Sequence, residues 1–478
     1  MIVRHWIVPF ASIALSAGAC AKDSPPQVGV DDKALAREVL EEIISIRTAK
    51  GHGQTPAMAK ALADRMLDAG FSSEDIDIPT TQIDGEKVAA LVVRYRAASN
   101  EGSKPIALIG HMDVVDASAE TWTTDPYQPT EKDGYLYGRG SVDNKAGIAA
   151  LATTFVRLKR QGWSPSRDLI IAFSGDEETG MSTTRTLTAH KWVSRAEFAL
   201  NSDAGAGSIG ADGKGPAFSI QSAEKTYATF FFTAKNRGGH SSAPRADNAI
   251  FDLADAIKTI ESHRFPVSFN EITRSMAADL AQSEGGSFGA ALEKLLDDPN
   301  DEQARATVEA SPLGAHFLYT TCVPTMLSAG SAENALPQRA SVTVNCRILP
   351  GSPVSEVKTA LMKAIGDPGI SIEDGREAVE SPISPVREDL FASLRNVTHA
   401  MYPGAPVKPS MSSGGTDGRE FRKAGIPTYG AGAIALVLPE DSRAHGIDER
   451  LPLETYYKQL VYWEVLLKDL AGPPKGAN

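Results

Sequence analysis

Histidines and carboxylates gather at a few places in this 478-residue sequence where an apolar run ends, and each place holds groups able to bind a metal. His111 and Asp113 close the run 106–110 with one residue between them, so strand alternation turns both to the same side. A carboxylate two residues beyond a histidine can accept its second ring N–H and raise its basicity as a ligand. Alone, the pair is also an ordinary polar strand end. Asp143 and Asn144 follow Gly138-Arg139-Gly140 and precede a helical stretch, where either residue type could equally serve as an N-cap. The run 169–173 leads into Asp176, Glu177 and Glu178. Consecutive carboxylates repel unless solvated or bound to a cation, and their side chains alternate in direction, so neighbours can take different roles. A fourth run, 198–200, ends at Asp203, and His445 lies in Arg443-Ala444-His445-Gly446.

Each of these is unremarkable by itself, but together they deliver His, Asp, Glu and Asp to one carboxyl edge of a sheet, where open α/β sheets bind ligands. Imidazole and carboxylate donors without thiolate suit zinc, and also manganese or cobalt. Five such groups (His111, Asp143, Glu178, Asp203 and His445) sharing one carboxylate suit a pair of ions.

The elements that must position them can be read from the apolar pattern. Helical periodicity starts at Ala34 and recurs over 56–70; β-type runs follow at 88–93, 106–109, 169–173 and 198–200, with a helical stretch at 145–159 between the second and third. Strands alternating with helices predict an α/β domain with a largely parallel sheet. Beyond Gly213 the order becomes β-α-β-β-α-β: a long β stretch over 217–235, a helix at 248–262, paired β runs at 320–329 and 340–350, a helix at 354–365 and a last strand near Ile370. That order predicts a ferredoxin-like α+β domain inserted as a lid or dimerisation unit, with 266–314 as a helical elaboration. The expected division is a catalytic domain in two parts, 31–213 and 381–472, with the insert at 214–380.

The length favours two domains or one with a sizeable insertion. A formal net charge of −12, with no run of Lys and Arg, argues against a nucleic-acid partner. Residues 1–20 have the grammar of a secretory signal: Arg4 and His5, an apolar stretch too short to span a bilayer, then small residues before Cys20. Export is therefore expected, to the periplasm or to a membrane-anchored state. Ala17-Gly18-Ala19 fits plain cleavage and Cys20 fits lipid attachment. Cys322 and Cys346 lie on β runs flanking a turn near 332–337, so a hairpin could pair them, or both could be buried thiols.

The motifs IALIGHMDVV, GRGSVDNKAG, SGDEETG, LNSDAG, GGHSSAP, ENALP, CRILPG, GGTDGREF and AHGIDER occur in this order. In them the chain, from Ala34 to Leu470, resembles the dinuclear-zinc peptidases and amidohydrolases that include aminoacylase, carnosinase, bacterial glutamate carboxypeptidase and succinyl-diaminopimelate desuccinylase. The resemblance implies two Zn2+, with Asp143 bridging, His111 and Asp203 on one ion and Glu178 and His445 on the other. It makes Asp113 the orienting carboxylate behind His111 and Glu177 the general base. His240 becomes an oxyanion-stabilising histidine, often given by a partner subunit, which implies a homodimer. Asn334 and Arg347 match residues that contact the substrate's carbonyl or free carboxylate. Asp203, where relatives carry Asp or Glu, tilts the expectation toward an exopeptidase for dipeptides or small peptides, with N-acyl amino acid hydrolase or carboxypeptidase as the alternative. A non-catalytic surface binding protein could keep the fold, but Glu177 and every matched ligand are present here.

Overall fold

The computed structural model describes residues 28–472, apart from 100–101, 213–214, 312–315 and 376–377; the signal-like segment and Cys20 lie outside the described residues. At its centre Leu169–Ser174, Ile106–His111, Phe198–Asn201 and Thr428–Gly430 lie side by side, all parallel. Every residue of these four strands is buried, which is why they read as nearly unbroken apolar runs: a parallel strand covered on both faces has no solvent side for polar residues. Strands in both antiparallel and parallel pairings extend this centre into a ten-stranded mixed sheet. On one face pack the helices Val30–Ser45, Thr55–Asp68, Lys145–Arg160, Glu388–Met401 and Leu453–Ala471. The other face is covered by Ser182–Ala189 and Gly418–Lys423, through Leu187 and Phe421. This is the expected α/β fold with a mixed, largely parallel sheet.

A second, four-stranded antiparallel sheet runs in the order Thr321–Ala329, Arg339–Ile348, Thr226–Lys235 and Ile370–Asp374, with helices Ala249–Ser262 and Val354–Ile365 packed on it. Its element order is the β-α-β-β-α-β expected. Cys322 faces Cys346 across its paired strands, and the two form a disulfide. Closing the loop between them removes denatured-state entropy worth about 3 kcal/mol. Within 266–311 the chain folds as three helices, Glu271–Glu284, Gly286–Asp297 and Glu302–Glu309, around a core of their own that includes Ala277, Leu292, Leu295 and Val308. Asn270 and Thr273 form a capping box at the first of them.

Two β readings need correction. The single long stretch 217–235 is two strands in different sheets. Ala217–Glu224 pairs with Gly207–Gly210, Val407–Ser412 and Thr428–Gly430 in the large sheet, and Thr226–Lys235 belongs to the small one. The chain therefore crosses between sheets at Lys225 and not before residue 214. Only that residue separates two apolar-alternating strands, so periodicity registers no break. Likewise the run 88–93 divides between Glu86–Ala89, in a hairpin with Thr80–Ile83, and Leu91–Tyr95 in the large sheet.

Candidate metal centre

His111 ends its strand with an imidazole only 1% exposed. Gly110 before it has no room for a side chain: a Cβ there would lie 2.5 Å from Asn144 Oδ1 and 2.7 Å from Ser202 Oγ, so glycine lets the loops that carry Asp143 and Asp203 close against the strand. His111 Nε2 lies 2.9 Å from Asp143 Oδ1 and 3.5 Å from Asp203 Oδ1. On the far side His445 Nε2 lies 3.1 Å from Asp143 Oδ2 and 2.9 Å from Glu178 Oε1. Asp143 thus faces one imidazole with each oxygen. His111, Asp143 and Glu178 each offer one ligand atom within 4.8 Å of the others.

Four carboxylates (Asp143, Glu177, Glu178 and Asp203) meet two imidazoles here, an excess of negative charge that burial makes costly. The titration of Glu177, Asp203, His111, His445 and Asp143 reflects it. Burial, together with repulsion from Asp203, Asp417 and Glu178, pushes Glu177 well above the usual carboxylate range, against the pull of His111. Burial also raises Asp203 to about 6. Burial opposes the charge on His111, but Asp203, Asp113 and Asp143 outweigh it and raise that group well above an ordinary histidine. Hydrogen bonds to Asp143 and Glu178 carry His445 up to about 10. Asp143, despite burial, is held below the usual range by the two imidazoles. Divalent cations would satisfy this donor set by replacing the protons, and oxygen and nitrogen ligands without sulfur fit zinc, manganese or cobalt.

Three further buried carboxylates hold the ligand loops by accepting backbone N–H groups. Asp113 takes those of Glu177 and Glu178, both at 3.0 Å. His111 Nδ1 is 2.9 Å from the backbone carbonyl of Asp113 and 3.6 Å from its carboxylate, so Asp113 stands behind the ring with both groups while its side chain also fixes the next loop. Asp176 accepts from Ser182 N at 2.7 Å and Thr183 N at 2.8 Å, closing the turn after Glu178. Glu449, fully buried, accepts from the N–H groups of Gly140, Val142 and Asp143 at 2.8–3.0 Å and from Arg139 at 2.7 Å. Asp417 accepts from Ser174 Oγ at 2.7 Å and from Thr184 Oγ1, tying together the two ends of the 175–183 segment. Asp176, Asp417 and Glu449 carried no role in the sequence reading, although all three lie inside the motifs that the resemblance rests on.

The remaining expected residues stand elsewhere. His240 and Asn334 belong to a short exposed ribbon formed by Gly239–His240 and Ala335–Leu336. His240 Nδ1 is 2.7 Å from Ser242 Oγ, and neither residue hydrogen-bonds to the cluster among the described contacts. Arg347 lies over the Tyr227 ring at 4.7 Å and donates to Ser413 O at 3.1 Å, in the glycine-rich loop that leads to Asp417.

The model of Peptidase family M20/M25/M40 matches residues 107–469. A relative from Xenopus tropicalis, the N-fatty-acyl-amino acid synthase/hydrolase PM20D1, is 28% identical over 376 residues, which cover 76% of this chain and 73% of that protein. A Dictyostelium discoideum protein, probable carboxypeptidase S-like 2, is 27% identical over 380 residues, covering 77% and 72%. Among solved structures, the M20 family metallo-carboxypeptidase Sso-CP2 from Sulfolobus solfataricus shares the fold with a TM-score of 0.66 at 19% identity, covering 91% of this chain and 98% of that one.

Proposed function

From the premise that the chain belongs to peptidase family M20/M25/M40, we propose that it hydrolyses the amide bond preceding an amino acid with a free carboxylate, in an N-acyl amino acid or a small peptide. The observation that carries this reading is Asp143, whose two oxygens lie 2.9 Å from the His111 imidazole and 3.1 Å from that of His445, the disposition of a carboxylate shared by two ions. His111 and Asp203 would hold one Zn2+ and Glu178 and His445 the other. Bound there, the ions supply Lewis-acid polarisation of the scissile carbonyl and lower the pKa of water.

Glu177 does the proton work: it takes a proton from the attacking water and returns it to the departing nitrogen, and its raised affinity for a proton suits both steps. Arg347 pairs with the substrate carboxylate as a planar fork. His240 and Asn334 act from a second copy of the chain, His240 donating to the developing oxyanion. The exposed strand Thr321–Ala329, at the edge of the small sheet with Val323, Met326 and Leu327 uncovered, supports that homodimer. Residues 1–20 support export, with or without a lipid at Cys20.

Two finer substrates fit. Asp203 favours dipeptides, whereas the names of the sequence relatives favour N-acyl amino acids, and we place the second first. Assaying both sets with metal-loaded wild type and Glu177→Ala tests the mechanism. The substitution is expected to lower kcat by roughly 10²–10⁴ while the bound metal measured by elemental analysis stays unchanged. Undiminished turnover, or a wild-type protein that retains no metal after dialysis, would refute the mechanism.

A further inference from the structure

The glycine-rich loop 412–418 collects three cations that the reaction as described does not all use. Arg347 reaches it from the small sheet, through Ser413 O. Arg419 stands at its other end, in the first turn of Gly418–Lys423, with Nε 3.1 Å from Met181 Sδ. Met181 closes the segment that begins with Glu177 and Glu178, so Arg419 stands at the far end of that segment. Gly415 leaves the guanidinium its space: a Cβ there would come within 3.2 Å of Arg419 Nη1. Lys225, at the crossing between sheets, is 2% exposed, and its ammonium is held by two backbone carbonyls, His316 O and Tyr319 O. Its own N–H donates to Ser412 O at 3.0 Å, which fastens the loop beside it.

None of the three has a carboxylate within ion-pair distance among the described residues. The nearby acid, Glu224, is already engaged by Arg422 at 2.7 Å and by Thr416. Two arginines and a lysine without a counter-ion are gathered here in a chain of net charge −12, and Arg419 disfavours the charge on Arg347, as Arg347 does that on Lys225. One substrate carboxylate on Arg347 leaves Arg419 unmatched, and a half-buried guanidinium gains most from a planar, bidentate anion.

We infer that Arg419 and Arg347 together form a subsite for a leaving amino acid with two carboxylates, so that the preferred substrates are amides of glutamate or aspartate. Arg347 holds the α-carboxylate, Arg419 the side-chain carboxylate, and Lys225 supplies field without contact. The inference rests on the amide-hydrolase reading above, and it names the amino acid that the reading leaves open.

The test compares N-acetyl- and N-lauroyl-L-glutamate with the corresponding L-glutamine compounds, which match in shape and differ in charge. It adds calorimetric binding of free L-glutamate and L-glutamine to the zinc-loaded protein. Wild type is expected to favour glutamate in kcat/KM and in affinity by roughly ten- to a hundredfold, the range of a charge-assisted pair. Arg419→Gln is expected to bring both ratios toward one, and Arg419→Lys to restore part of them. Equal handling of the two amino acids by wild type, or an Arg419→Gln variant that loses both to the same extent, overturns the subsite. Absence of turnover on every amide would overturn the hydrolase reading instead, and the binding ratio would then decide the subsite alone. Should Arg419→Gln fail to fold, wild type and Arg419→Lys still give both ratios.

Discussion

Glu449 shows how much of this site depends on groups that would never touch a substrate. Its two oxygens gather three consecutive-loop N–H groups and the Arg139 guanidinium, and the loop so held ends at Asp143. Glu449→Gln keeps the shape but turns one acceptor into a donor, which then faces N–H groups of like polarity. The expected result is a metal affinity lower by roughly 10–100-fold, the usual loss when a residue supporting a ligand is removed. Chelator competition measures it, and unchanged affinity would show that the loop holds Asp143 without this carboxylate. His111, Glu178 and Asp203 were legible in the sequence as candidates because each follows an apolar run, so its type and its place on the sheet edge can be read together, whereas Asp143 and His445 entered through the motifs that carry the resemblance. Asp176, Asp417 and Glu449 were not legible, since apart from Arg139 the partners named here are main-chain groups or hydroxyls, and no residue spacing announces where such a partner lies.

At the scale of elements, periodicity located the parallel strands and the long helices closely, because each buries one continuous apolar surface. It could not separate Ala217–Glu224 from Thr226–Lys235, where one apolar rhythm passes through two sheets. Nor could it foresee that Thr321–Ala329 would keep its side chains so exposed. Val323, Met326 and Leu327 are 55%, 70% and 66% exposed, on an edge strand whose outer backbone groups have no neighbouring strand in the sheet. Edges of this kind pair with other chains unless they are blunted. If the proposed homodimer forms there, Leu327→Asp should convert a dimer to a monomer in sedimentation velocity. It should also abolish turnover while leaving bound metal intact, because His240 would have no second site to enter. A wild-type monomer with full activity would refute both the dimer and the shared histidine.

The whole molecule hinges on its crossing points, and Lys225 gives one of them a pH signature. Burial and the nearby Arg347 lower its pKa to about 8 from the ordinary 10.5. Between those values the unfolded chain binds more protons than the folded one, so the lysine's contribution to stability rises with pH across that window. Below about pH 8 the cost of the buried charge is present in full. Lys225→Met removes that cost. Its advantage over wild type in chemical denaturation should be largest at or below pH 8 and should shrink by on the order of 2 kcal/mol toward pH 10.5. Taking the difference between the two proteins cancels the other titrating groups, including Lys145, which burial lowers to about 7. A pH-independent difference would mean that Lys225 keeps its ordinary proton affinity inside the fold.

The long reach from His445 and Glu449 back to Asp143 has a consequence for the order of events during biosynthesis. The centre joins segments from the first half of the chain to one near its end, contacts of high sequence separation that form late and slowly. A ribosome must therefore release the chain through Glu449 before these groups can meet. A nascent or C-terminally clipped chain could keep the parallel strands 106–201 and still lack any competent centre.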